Sequence, residues 1–163
     1  MSDFTKELLE LLEQNHSCSD EQLAVMLERE PAEIAARRRQ LEEEKVIVRY
    51  QTLINWEKAG VEAVTAFIHA KITPQREVGF DAIAERIYRF PEVRGLYLMS
   101  GGYDLLVMIE GGTLKEAARF VATKLSTIEG VVGTETHFML KKYKESGVIL
   151  DDREENCRLM VSP

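Results

Sequence analysis

Two short stretches of the sequence carry groups with chemistry to offer. The first is Arg37-Arg38-Arg39 with Lys45 and Arg49 after it. Cations gathered on one helix and the segment behind it can neutralise phosphates and release their counterions. The second is Ser100-Gly101-Gly102-Tyr103-Asp104. Here Gly101 and Gly102 leave backbone amides open to an anion, while Asp104 supplies a carboxylate for a cation. Each stretch also has a plain structural reading. An arginine-rich helix can be a solvated face with i,i+4 partners, Arg38 to Glu42 and Arg39 to Glu43. A Gly-Gly pair can be a tight turn needing positive φ, with Asp104 capping it.

Composition limits what these groups can serve. With 163 residues, 45% of them apolar and 30% charged, the chain is long enough for one domain or two small ones. The N-terminal segment MSDFTKELLELLEQN is acidic where a signal peptide is basic, and no apolar run approaches the roughly 20 residues that span a bilayer. A cytoplasmic protein with no membrane partner is expected. Cys18 and Cys157 stand far apart without metal-ligand spacing, so no disulfide framework, metal site or cofactor is expected. The net charge of -7 argues against indiscriminate adhesion to nucleic acid. Met1 to Asn55 alone holds seven Lys or Arg against twelve Asp or Glu, a net of -5, yet five of the seven cations crowd between Arg37 and Arg49. Placement must therefore do what net charge cannot.

Catalysis finds little support. His16, His69 and His137 have no Ser, Cys or carboxylate pair at motif spacing, and no Walker loop or GxGxxG follows a strand. His137 reads as a hydrogen-bonded sheet residue.

The elements that must position the two stretches are legible in the hydrophobic period. Phe4, Leu8, Leu11 and Leu12 mark a helix over 4–14. Ser19 and Gln22 form a capping box that starts a second helix near Asp20, and Pro31 suits the first position of a third. Three short helices with a tight turn between the last two match the helix-turn-helix pattern. Val46-Ile47-Val48 and Tyr50 to Leu53 read as extended, and INWEKAG as a connector. From Val61 onward, strand, helix and strand occur twice in succession. The joints Phe90-Pro91-Glu92-Val93-Arg94-Gly95 and Ile128-Glu129-Gly130-Val131-Val132-Gly133 echo each other as a faint internal repeat. A βαββαβ order predicts a ferredoxin-like sheet with helices on one face. Phe67, His69 and Lys71 then lie on the face opposite Ala66, Ile68 and Ala70, and apolar groups on an uncovered face call for a second copy.

This layout, with the quoted Arg39-Gln40-Leu41-Glu42, Val46-Ile47, Tyr50 and Ser100-Gly101-Gly102-Tyr103-Asp104, resembles the leucine-responsive/asparagine-regulator (Lrp/AsnC) family of transcription regulators from Phe4 to about Tyr143. The fold class expected is α+β, a three-helix winged helix-turn-helix joined to a βαββαβ ferredoxin-like sandwich. The domains expected are 1–53 for DNA binding, 54–60 as linker, 61–144 for ligand sensing and assembly, and 145–163 as a tail that packs on a neighbour or stays mobile. The resemblance implies a regulator of transcription, with double-stranded DNA, a small-molecule effector of amino-acid type, and a homodimer or higher homo-oligomer as partners. It places the effector near the hairpin, with Gly101, Gly102, Tyr103 and Asp104 joined by the hydroxyls of Thr134 and Thr136. It makes Arg37 and Arg39 the phosphate contacts, supported by Lys45 and Arg49.

Departures from the family pattern matter too. The turn before the third helix is Glu28-Arg29-Glu30, with a glutamate as cap. Arg38 occupies an aliphatic position and must snorkel or pair with an acid of an earlier helix. Lys45 stands where the family ends the helix with glycine. An assembly protein that has lost its DNA reader is the alternative. A siroheme-decarboxylase-like enzyme is a more distant one, because the hairpin lacks the Trp-Pro-Tyr-Asn type stretch.

Overall fold

The computed structural model describes residues 3–73 and 79–150; most of the loop TPQREVG, and the acid-rich end with Cys157, lie outside the described residues. The chain divides into two compact units, Met1–Ile54 and Asn55–Pro163.

The first unit holds α1 (Asp3–Gln14), α2 (Asp20–Leu27) and α3 (Pro31–Glu43). Leu8 and Leu12 sit one turn apart on α1 and bury against Leu23 and Ala24 of α2 and Ile34 and Leu41 of α3. Each fully buried leucine or isoleucine contributes about 1.5–3 kcal/mol, so this small core is what holds three short helices together. The capping box forms as the sequence predicts: Gln22 N–H donates to Ser19 Oγ at 3.2 Å, and Ser19 N–H donates to Gln22 Oε1 at 2.9 Å. Pro31 opens α3, but its cap Glu30 makes no side-chain hydrogen bond to the helix. The segment after α3 carries no paired strand among the described residues.

The second unit runs β1 (Val64–Ile72), α4 (Asp81–Tyr88), β2 (Val93–Leu98), β3 (Leu105–Gly111), α5 (Leu114–Phe120) and β4 (Val131–Phe138). α5 runs on into a π-helical turn at Val121–Leu125. The four strands form a sheet in the order β2-β3-β1-β4, every neighbouring pair antiparallel. Both helices cover one face. Ala66, Ile68, Ala70 and Ile72 meet Ile83, Ile87, Ala117 and Phe120 there, with Val107 and Ile109 beside them. The internal repeat is real in the backbone: Val93 N–H donates to Phe90 O and Val131 N–H to Ile128 O, both at 3.0 Å. After β4 the apolar run at Val148 pairs locally, with Val148 and Ile149 still exposed. β5 (Lys144–Glu145) and β6 (Val148–Ile149) form a two-residue hairpin through Ser146 and Gly147, both at positive φ.

Candidate functional site

The three consecutive arginines face three ways, because successive helical residues are turned by about 100°. Arg38 points inward. Its Nη1 donates to Asp20 Oδ1 of α2 at 3.0 Å, and its Nε donates to the Tyr50 hydroxyl at 2.9 Å. Tyr50 passes the chain on by donating to Glu42 Oε1 at 2.7 Å. The acid from an earlier helix that Arg38 needs is therefore Asp20, at the first position of α2, where a carboxylate also suits the helix dipole. The bond to Tyr50, ahead of the one to Asp20, holds the guanidinium in its charged form; burial pushes the Tyr50 hydroxyl up, and the bond to Glu42 adds to that.

Arg37 is half-buried, its Nε donating to Thr5 Oγ1 of α1 at 3.0 Å and its Nη1 to Gln40 Oε1 at 2.7 Å. Arg39 is exposed and, among the described residues, has neither an ion pair nor a side-chain hydrogen bond; the pairing with Glu43 does not form. Lys45 and Arg49 are exposed, and Arg49 donates to Gln51. Lys45 adopts φ 56 where glycine is the easy residue, with Val46 N–H reaching Leu41 O at 2.9 Å and Lys45 N–H reaching Glu42 O at 3.1 Å, a Schellman closure. The turn between α2 and α3 is a shallow depression walled by Glu21, Glu28, Glu30 and Glu33 around Arg29. Arg29 itself pairs with Glu33 at 3.5 Å and lies over the Phe4 ring.

In the sheet unit, the stretch from Ser100 to Asp104 joins β2 to β3. Gly101 takes φ 139, which favours glycine, whereas Gly102 has no such constraint and open space where a Cβ would stand. Asp104 is engaged within the chain. Its Oδ2 accepts the Ile72 N–H at 2.8 Å and lies 3.3 Å from Lys71 Nζ. Ile72 is where the β1 to β4 register shifts, so Asp104 fastens a bulge. The Ile72 amide first, and Lys71 after it, hold the Asp104 carboxyl below its ordinary value.

Tyr103 turns onto the face away from the helices and stacks on His69, ring centroids 4.5 Å apart, with its hydroxyl donating to Glu135. Thr134 and Thr136 pair across from Ala70 and Ile68, which places them on the helix-covered side. Within one chain, then, Tyr103 and the two threonines lie on opposite sides of the sheet. The constellation the sequence reading missed is His69, Glu135 and His137, each offering a donor atom within 4.8 Å of the others. The alternation Glu135-x-His137 was a visible sign that those two share a face; His69 joins them through strand pairing.

Comparison with known proteins places this architecture. A model of the Lrp/AsnC ligand binding domain matches residues 65–149. The HTH-type transcriptional regulator YugG of Bacillus subtilis is 49% identical over 158 residues, covering 96% of this chain and 95% of that protein. Among solved structures, the transcriptional regulator NMB0573 of Neisseria meningitidis, in complex with L-Met, superposes with a TM-score of 0.73 at 22% identity over 93% of this chain and 97% of its own. E. coli AsnC superposes with a TM-score of 0.70 at 18% identity, covering 89% and 95%. Among the described residues, no helix is long and apolar enough to cross a membrane. A three-helix unit followed by a βαββαβ sheet, matched along nearly its whole length by a helix-turn-helix regulator, makes this chain a member of the Lrp/AsnC family.

Proposed function

We propose that this protein is a cytoplasmic, sequence-specific DNA-binding transcription regulator whose helical unit reads duplex DNA and whose sheet unit answers to a small effector of amino-acid type. Family membership sets the class, and one observation carries the residue assignment: Arg39 stands exposed on α3 without an intramolecular partner among the described residues. An arginine free of partners gives none up when it meets a phosphate. Arg39 is the leading candidate, with Lys45 and Arg49 beside it and Arg37 tethered to Thr5. The relative NMB0573 was solved with L-Met, which supports an amino acid as the effector class. Gly101, Gly102 and Tyr103 remain the candidate effector groups, and the committed carboxylate of Asp104 holds the bulge behind them. On the open sheet face, Phe67 lies across from Met108, with Leu106 two residues along the same strand, and a second copy packed there forms the dimer.

The test titrates the protein against its own promoter fragment and an unrelated duplex at several salt concentrations, with and without each of the twenty amino acids. A regulator prefers the promoter, and Arg39→Ala lowers the slope of log K against log salt by about 0.9 for each phosphate that is no longer neutralised. Gly102→Ala, whose methyl meets no neighbour within the chain, tests close approach of an anion to this amide: it should keep the fold, crowd the ligand and weaken amino-acid-induced thermal stabilisation. Light scattering on the sheet unit reports the dimer.

A specific observation favours a second reading. Four glutamates wall the turn ahead of α3, and both Arg37 and Arg38 are engaged within the fold. No promoter preference at any salt or effector concentration would select an assembly protein that keeps the fold and lacks a DNA reader.

A further inference from the structure

The open face of the sheet carries a donor set that the regulator reading does not use. Strand pairing sets His69 across from Glu135 and Phe67 across from His137, so all three donor residues project from the side away from the helices. One donor atom from each lies within 4.8 Å of the other two, and His137 Nε2 stands 3.4 Å from Glu135 Oε1. Tyr103 braces two of the three. Its ring stacks on His69, and its hydroxyl donates to Glu135 Oε2, which leaves Oε1 turned toward His137. The His69 ring also lies 5.0 Å from that of His137. Its Nδ1 is buried and makes no hydrogen bond among the described residues. A solvated ion pair accounts for Glu135 and His137, each about half exposed. It does not account for a buried ring nitrogen without a partner, a condition that an ion or water commonly answers. Lys71, a cation on the same strand face, is committed to Asp104.

We propose that His69, Glu135 and His137 form a binding site for a divalent first-row transition-metal ion, with Zn2+ as the reference case. Two imidazoles select such an ion over Mg2+ or Ca2+, whose ligands are all oxygen. Bonds of about 2.0–2.2 Å to nitrogen and oxygen are reached by drawing in the half-exposed Glu135 and His137 side chains, and three protein ligands leave a fourth tetrahedral position for water or for a group of the second copy packed on this face. Tyr103 supplies the outer support that metal-binding carboxylates and imidazoles usually have. Because β4 is an edge strand and β1 is central, the ion clips the two together beside the Ser100 to Asp104 hairpin.

The full-length protein, stripped with a chelator, is titrated with Zn2+, Co2+ and Mg2+ by calorimetry, with the visible spectrum followed for Co2+ and melting followed for Zn2+. The expected result is saturable binding of one Zn2+ or Co2+ per chain, no Mg2+ binding, and a melting temperature that rises with Zn2+. Outer-shell changes typically weaken metal binding by about 10–100-fold, so Tyr103→Phe should fall by about tenfold and His137→Ala by more than about 100-fold. His137 is exposed on an edge strand of the single chain, so its variant keeps the fold, and light scattering reports that the dimer is kept; Glu135→Gln and His69→Ala extend the series. Absence of saturable binding, equal affinity in parent and His137→Ala, or equal competition by Mg2+ overturns the proposal. So does a Co2+ spectrum abolished by Cys18→Ser but unchanged in His137→Ala, which puts the ion in the helical unit.

Discussion

The helical unit and the sheet unit solve chain reversal with different residues. In the sheet unit the left-handed backbone positions fall on glycines, Gly101 in the hairpin and Gly130 before β4 among them, with Ser146 as the exception among the described residues. In the helical unit they fall on Glu28, at the end of α2, and Lys45, just past α3. A side chain in the left-handed region costs about 1–2 kcal/mol. The helical unit bears that cost at the close of α2 and again at the close of α3, the helix which in a helix-turn-helix enters the groove. What it keeps there is charge, an anion ahead of α3 and a cation behind it. The sheet unit keeps none: Gly60, Gly79, Gly101 and Gly147 have open space where a Cβ would stand, and Gly130 alone among its described positive-φ glycines is packed against a neighbour. One unit uses the unstrained residue, and the other accepts local strain to place ionised groups.

The strongest way to break this comparison lies in the sheet unit. Gly130 combines φ 95 with a neighbour, Ile83 Cδ1, only 2.5 Å from where a Cβ would stand. Gly130→Ala should cost about 2–4 kcal/mol, from backbone strain and overpacking together, as read by urea denaturation. A loss under about 0.5 kcal/mol would show that the sheet tolerates what it is built to avoid.

Adjacent arginines test the same idea inside the helical unit. Arg38→Ala leaves Asp20 and Tyr50 without their shared donor and should cost about 1.5–3 kcal/mol. Arg39→Ala should stay within about 0.5 kcal/mol in stability. Equal losses in chemical denaturation would erase the distinction between the inward and outward side chains of α3.

Smaller still is the effect of relieving the strained caps. Lys45→Gly and Glu28→Gly should each raise stability by about 0.5–1 kcal/mol, since the relief exceeds the added freedom of the unfolded chain. If Lys45 also serves DNA, its variant melts higher and binds more weakly, and the comparison sharpens. Neutral or destabilised variants would mean that the side chains compensate for their own backbone.

The last effect is a slope. The Asp104 carboxyl is held below its unfolded value of about 3.9 by the Ile72 amide and Lys71. A group with a depressed folded value stabilises the protein above its unfolded value, and that share disappears as pH falls through the folded one. Between pH 4 and pH 2 the parent should therefore lose stability more steeply than Asp104→Asn, which keeps an acceptor for Ile72 and carries no titrating proton. Parallel slopes in acid denaturation would remove Asp104 from the bulge.

Much of this was legible in residue order. Ser19 with Gln22 and Pro31 announced two helix starts because capping is a contact between residues three apart. The alternation through Ala66, Ile68 and Ala70 announced a strand with one buried face because the side-chain period of a strand is two. That Arg38 must snorkel or pair with an acid followed from its position between Ile34 and Leu41 on the helix together with the aliphatic residue the family resemblance expects there. The change to a π-helical turn at Val121 was not announced by the apolar spacing; across it the buried residues are Phe120 and Leu125, five apart, while Val121 is only partly buried.

Only the tertiary structure decided which acid Arg38 finds, and that Arg37 is tethered while Arg39 has no partner among the described residues, because Asp20, Tyr50 and Thr5 arrive from other segments of the unit. It likewise separated Tyr103 from Thr134 and Thr136 and joined His69 to Glu135 and His137. Both outcomes depend on the register between β1 and β4, strands far apart in the chain, and a slip of one residue would send every side chain to the other face. Local order determines which way a side chain points from its own element. The company it keeps is settled by pairings that no short window of sequence contains.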